Sequence, residues 1–449
     1  MIWKSAVRRW SFVAVAALYA LLLFGRLTAQ NTITEKAPAY LQGLPVIRNY
    51  PPEVYAAHNQ NWAAVQDRRG VMYFGNSYGV LEYDGVSWRL IKLGGRRIAR
   101  SLAIDAGERI FVGGYGDLGY LAPDEKGHQK FVSLMPEMEE RHRNFTDVWQ
   151  TISTPDGVYF LSSQYIFRWD GRKMHTIRAE SAFQSAYYIY NQLFVFQTDK
   201  PVRHLVSNAL KPVPAAASFS ASDITAMIPL QGQQERNMLI ATRGRGIFQY
   251  DGQSAPTPFL TEAQSLLAEG QVFSAIALSH GRYAFGTMLR GVVITDARGR
   301  LLQHLNKASG LLDDAVLCLY EDRQQGLWTG LQTGIARAET GASLSYFRER
   351  EGMEGSIWDM ARHEGRLWLA TIMGLYYLDD SPAVVRTPQR IRRMPGVSPQ
   401  CWSLAPFGSS LLAAAFDGIY EIKNGQSRLI FKEFSFAVHR SQQDSNRLF

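Results

Sequence analysis

One phrase returns along the 449-residue chain: an apolar triplet, a Gly or Ala, a short polar turn, a second Gly, and another apolar run. It reads VMYFGNSYGVLEYDG at 71–85, LIATRGRGIFQYDG at 239–252, YAFGTMLRGVVITD at 283–296, LWTGLQTGIARAE at 327–339, LWLATIMGLYYLDD at 367–380 and LLAAAFDGIYEI at 411–422. β-rich runs on either side of a residue that tolerates positive φ make each copy two strands around a tight turn. The first small residue of each turn falls at Gly75, Gly113, Ala241, Gly286, Gly330, Ala370 and Ala414, with adjacent clear copies 38 to 45 residues apart. The gap from Gly113 to Ala241 holds three such steps, so two degenerate copies belong inside it, in 147–171 and 185–200. A period of about 40–45 residues with four short strands per unit marks β-propeller blades, whose sheets bury their faces only against neighbours.

Each phrase is preceded by an inner strand, as in NWAAVQD, DVWQTIS, VFSAIAL, AVLCLYED, SIWDMAR and QCWSLAP, and followed by an outer one, as in SWRLIKL, LLQHLNK and SLSYFRE. The first bulky inner-strand position carries Trp62, Trp149, Phe273, Leu317, Trp358 and Trp402, which reads as a packing layer between sheets. VIRNY, before the first inner strand, has the pattern of an outer strand without a blade of its own, and it can complete the last blade of a ring. The expected fold is all-β: a seven-bladed β-propeller of four-stranded antiparallel blades over 44–340, then the first blades of a second, incomplete propeller over 341–449. A single ring of eight or more blades is the competing arrangement.

The first 30 residues differ. Lys4, Arg8 and Arg9 precede the apolar run 11–24, and LTAQ supplies a small residue for cleavage after Ala29. That pattern predicts a secretory signal peptide over 1–30 with a linker over 31–43, and a protein outside the cytoplasm after cleavage. Removing it takes four basic and no acidic residues from the formal +8, leaving 44 basic against 40 acidic side chains. So small an excess, interleaved with acids, gives no nucleic-acid footprint. The two cysteines, Cys318 and Cys401, fall in different blades and read as buried free thiols.

Catalytic motifs are not found. GYGDLG at 114–119 matches a phosphate-binding Gly pattern, but a strand follows it where a helix N-terminus would be needed. Asp67, Asp105 and Asp322 sit in turns where the carboxylate caps backbone N–H groups. No metal, cofactor or catalytic set is expected, and the chain reads as non-enzymatic. Propeller turns converge on one face around the channel, which makes Tyr78, Tyr115, Arg243, Arg245, Arg290 and Gln332 the candidate ligand-binding rim. Arg forks and Tyr rings there suit a small anionic or oligosaccharide ligand.

The stretches NYPPEVYAAHNQNWAAVQDRRGVMYFGNSYGVLEYDGVSW, RSLAIDAGERIFVGGYGDLGYLAPD, LNKASGLLDDAVLCLYEDRQQGLWTGLQTGIARAE and EGSIWDMARHEGRLWLATIMGLYYL resemble the two-component regulator propeller repeats of bacterial transmembrane receptors. The resemblance covers roughly 44–449 and fades over 175–220. In that family two seven-bladed propellers commonly precede a three-tyrosine immunoglobulin-like domain, a membrane helix and a cytoplasmic output module. It implies a periplasmic sensor region that is homodimeric in the full receptor, with membrane association only through further C-terminal parts or an uncleaved signal. None of those later parts is in this sequence, so it does not transmit a signal alone. A protein-interaction scaffold and a propeller hydrolase or lyase are the alternative functions.

Overall fold

A computed structural model describes residues 44–94, 98–206, 208–213, 223–231, 237–342, 344, 346–347, 352–378, 391–441, 447 and 449. The expected signal peptide and linker lie outside the described residues. No helix among the described residues is long and apolar enough to cross a membrane. The chain divides into two compact units, one spanning Gln42–Tyr346 and the other containing Phe347–Phe449.

Nine four-stranded antiparallel sheets make up the described residues, which agrees with the all-β, four-stranded reading. Seven belong to the larger unit. Their inner strands are Asn61–Gln66, Ala99–Ile104, Gln150–Thr154, Phe183–Ile189, Ile224–Pro229, Val272–Leu278 and Val316–Glu321. Each touches the next, and the last touches the first, so the seven form a closed cycle. The third and fourth, at 150–178 and 183–212, occupy the gap where degenerate repeats were expected.

The seventh sheet takes its outer strand from the other end of its unit. Ile47–Tyr50 runs antiparallel to Ile335–Ala338, with Asn49 opposite Ala336. SLSYFRE does not fill that place; its Tyr346 instead makes an isolated bridge to Leu44 beyond the end of the borrowed strand. The ring of Tyr50 then joins the seam, stacked 5.6 Å from Trp328 and edge-on to Tyr83 at 5.4 Å, while Tyr83 stacks on Trp88 at 4.3 Å. Such offset and edge-on aromatic pairs add to the stabilisation from burial. Asp322 anchors the same sheet from within: it is buried, accepts backbone N–H groups of Gln324 and Gly326, and binds Trp328 Nε1 at 2.8 Å and Arg337 Nε at 2.6 Å. Asp67 and Asp105 likewise cap their turns, through the N–H groups of Arg69, Val71 and Arg109.

The small residue at each repeat marker is explained by how closely the sheets approach. A Cβ on Gly330 would sit 2.5 Å from the Asn61 carbonyl oxygen and from Cys318 Sγ, so a side chain there would push the seventh sheet off the first. Both cysteines are free and buried.

One expectation is overturned. The column of bulky residues is not a packing layer throughout: Leu317 is buried, but Trp149 is 47% and Trp358 55% exposed, and Trp62 is half-buried. The cause is a β-bulge at the start of most inner strands, where Trp62, Arg100, Phe273, Leu317, Trp358 and Trp402 are skipped in the pairing with the second strand. The bulge shifts the alternation, so in the larger unit the buried residue is the one before: Asn61, Ala99, Val148, Val272 and Val316.

Candidate functional site

The entries to the inner strands and the turns between second and third strands lie at one end of the seven-sheet unit. The N–H groups of Tyr115, Arg243 and Gln332 donate to Ile98, Asp223 and Ala315, each just before the inner strand of its own sheet. The same turns reach the next sheet, since the N–H groups of Gly116, Gly291 and Gly334 donate to Thr146, Asp314 and Asn59. At these turns hydrogen-bonded backbone therefore carries the bulge side chains and the turn side chains together.

On the first three sheets these side chains assemble into one network. Arg100 lies between two indoles, its guanidinium carbon 4.1 Å from the Trp62 ring centre and 4.8 Å from that of Trp149. Its Nε donates to Asp147 Oδ1 at 2.6 Å, and both side chains are largely buried. Asp147 forms an isolated bridge with Tyr115, whose ring is 52% exposed. On the other flank Trp62 Nε1 donates to Ser77 Oγ at 3.0 Å, and Ser77 Oγ donates to Gln60 Oε1. Asn76 ties the entry loop down, donating to the carbonyls of His58 and Gln60 and accepting from the N–H groups of His58 and Tyr78. Tyr78, 48% exposed, meets His58 edge-on at 5.1 Å. Burial holds the His58 imidazole below its ordinary pKa, and its Nδ1 accepts the Gln60 N–H, which requires that nitrogen to be unprotonated.

Of the six rim residues named from sequence, Tyr78 and Tyr115 belong to this network. The other four stand on the fifth to seventh sheets, outside it. Arg245 pairs with Asp223 at 3.7 Å and Arg290 with Glu269 at 3.0 Å, so both cations face an acid of their own. Arg243 is exposed, and Gln332 is half-buried. Asp117, in the same turn as Tyr115, is buried and accepts from the Ser133 hydroxyl at 2.6 Å.

Sequence reasoning missed Arg100 and Asp147 and assigned Trp62 and Trp149 to the core. The available signal was register: Trp62, Arg100 and Trp149 stand at equivalent positions of successive repeats. A run of Trp, Arg and Trp at one position is hard to reconcile with a dry inter-sheet layer, where an unpaired cation costs heavily.

Chemically this is a preorganised platform. The Arg100 charge is balanced by Asp147 and held by both indoles, so Trp149 offers a half-exposed ring that loses little freedom on contact. Ser77 and the Gln60 amide adjoin Trp62, and Tyr115 adjoins Asp147. Such a set suits a ligand with an apolar face and hydroxyl edges. Among the described residues no group of three or more His, Cys, Asp or Glu side chains is placed to hold a metal ion.

No family model matches the chain, and no curated protein matches it in sequence. Solved structures do. The extracellular domain described as that of the hybrid two component system BT3049 from B. thetaiotaomicron has a TM-score of 0.60 at 12% identity, covering 86% of this chain and 54% of that one. The corresponding domain of BT4673 from the same organism gives 0.52 at 15% identity, covering 89% of this chain and 56% of that one. A second structure of the BT4673 domain, there called a one component system, gives 0.52 at 14% identity, with 90% and 64% covered. This chain thus spans less than two thirds of the length of each. Likeness at these identities is a likeness of fold, and the fold it identifies, together with the cycle of four-stranded sheets, is the β-propeller.

Proposed function

We propose that this chain is the ligand-sensing, extracytoplasmic propeller region of a bacterial two-component signalling receptor, and that it binds rather than transforms its ligand. In this reading 44–340 is a seven-bladed propeller and 341–449 the opening of a second, reached after removal of a signal peptide. A homodimer and an output module outside these residues complete the receptor. The reading is supported by the extracellular domains of two-component systems that it resembles in fold. The observation that carries it is the Trp62–Arg100–Trp149 stack, a rigid, half-exposed aromatic platform at the hub with its only charge neutralised internally. Its chemistry suits a sugar ring laid on Trp149, with hydroxyls bonded by the exposed Tyr78 and Tyr115. The fifth to seventh sheets contribute Arg243, Arg245, Arg290 and Gln332 to a wider rim that an oligosaccharide spans.

The test is a thermal-shift and calorimetric screen of the secreted chain against neutral and acidic oligosaccharides, repeated with Trp149→Ala. A ligand that raises the unfolding midpoint of the native chain and loses about tenfold or more in affinity in the variant supports the reading, base and sugar stacking on one ring being worth about 1–3 kcal/mol. Equal binding by Trp149→Ala, or turnover of a glycosidic substrate, contradicts it.

A further inference from the structure

The smaller unit has a cleft of about 280 Å³ between its two sheets. It is lined by His363, Glu364, Arg366, Trp368 and the segment Ile422–Gly425. Trp368 is only 4% exposed and belongs to the core between the sheets. Its Nε1 is buried without a hydrogen-bond partner, and so is His363 Nε2 beside it. An indole N–H can only donate, and an imidazole donates from Nε2 when the proton is there. Both side chains line the cleft, and a buried polar nitrogen without a partner is costly unless something bonds to it.

The charges around the cleft point the same way. Arg366 leans on the Tyr377 ring at 5.3 Å, and Lys423 interacts with Glu421 only through space, without a close ion pair. Glu364 is the one acid in the lining, and the nearby Glu421 is already engaged by the Ser410 hydroxyl and by Arg428 at 2.7 Å. Two cations and two neutral donors thus surround the space against one carboxylate.

The larger unit provides an internal control. A groove of about 250 Å³ lies at the equivalent place between its first two sheets, lined by Asp67, Arg68, Arg69, Tyr73 and Glu108. There the charges close on themselves: Arg69 binds Asp67 at 2.7 Å and the Tyr73 hydroxyl at 3.1 Å, and Arg68 faces Glu108 at 3.7 Å. The same architectural notch is self-satisfied in one unit and donor-rich in the other.

We infer that the cleft of the smaller unit is a binding site for a small oxyanion, a carboxylate, sulfate or phosphate group on a molecule of modest size, accepted by Trp368 Nε1 and His363 Nε2 with Arg366 and Lys423 at the mouth. Hydrogen bonds from donors to a charged acceptor are about twice as strong as neutral ones, and the guanidinium adds a forked contact. The inference does not rest on the hub platform or on the sensing role.

The full chain is titrated with sodium sulfate, inorganic phosphate and acetate, each against sodium chloride at matched ionic strength, following the unfolding midpoint and the heat of binding. At least one oxyanion is expected to raise the midpoint above the chloride control with saturable binding, and comparison of the three distinguishes tetrahedral from carboxylate ligands. Trp368→Phe, which keeps the ring and removes the donor, should weaken that binding about tenfold or more. Arg366→Gln combined with Lys423→Gln should do the same. If Trp368→Phe does not fold, the doubly substituted surface variant decides alone. Oxyanions no better than chloride, or unchanged binding in the folded variants, overturn the inference.

Discussion

The two units are written in the same repeat yet bury it differently. In the larger unit every inner strand is flanked on both sides, and residues at the strand entries such as Asn61, Val272 and Val316 are at most 1% exposed. In the smaller unit Cys401, which has a sheet beside it, is fully buried, while its counterpart Ile357 is 40% and Met360 61% exposed. Ile372, Met373, Phe416, Phe434 and Phe436 are exposed as well. A blade's apolar face is therefore encoded locally, but its burial is a property of the neighbour. Closing a cycle supplies a neighbour to each sheet, and the borrowed strand Ile47–Tyr50 covers the outer edge of the seventh.

The largest expected effect breaks the seam. Tyr50→Ala removes a buried ring that touches Tyr83, Trp88 and Trp328. It should cost the larger unit about 3–5 kcal/mol, the range for deleting a buried aromatic side chain. Denaturant unfolding followed separately in the two units should show the change in the larger one; a matching shift in the smaller unit would mean that the two do not unfold independently.

A smaller effect sharpens the role of close approach. Gly330→Ala drives a Cβ into the Asn61 carbonyl and should cost about 1–3 kcal/mol through overpacking. Gly365→Ala, in a turn of the smaller unit with nothing within 4 Å of its Cβ, carries only the strain of a φ of 78°, about 1 kcal/mol. Equal losses at the two sites would remove inter-sheet contact as the reason for the marker glycines.

The thiols report the same contrast at the lowest energetic cost. Burial pushes both Cys318 and Cys401 up to about 12, so neither should react with a thiol reagent at pH 8 in the native state. Because the folded values lie above the ordinary thiol value of 9.0, their stabilising contribution is complete below that pH and is lost between about 9 and 12. With rising denaturant Cys401, in the less covered unit, should become reactive before Cys318. Simultaneous labelling would show that the difference in burial has no counterpart in stability.

Much of this was legible in the residues. The spaced glycines, the alternation around them and the orphan strand VIRNY specify four-stranded sheets and a partner for the seventh, because turn chemistry and period are local. The sheet at 183–212 was faint because Phe196 stands where most other copies have Gly or Ala, and no second Gly follows it before the third strand. The hub platform was hidden for a different reason. A bulge moves one residue to the other side of a strand without changing composition, so Trp62 and Trp149 looked like core and Arg100 like an ordinary charge. Similarly, Trp368 reads as a core aromatic, and only the packing of the two sheets shows that its N–H lacks a partner beside a cleft.

Closure of the larger unit by its own first strand is tested most directly by a covalent link. Asn49→Cys and Ala336→Cys place two thiols at directly paired positions 287 residues apart in sequence. Mild oxidation should form an intramolecular disulfide in nearly all molecules and raise the unfolding midpoint, since constraining so long a loop restricts the unfolded chain by about 5–6 kcal/mol. Failure to link, or links only between molecules, would contradict a cycle closed by Ile47–Tyr50.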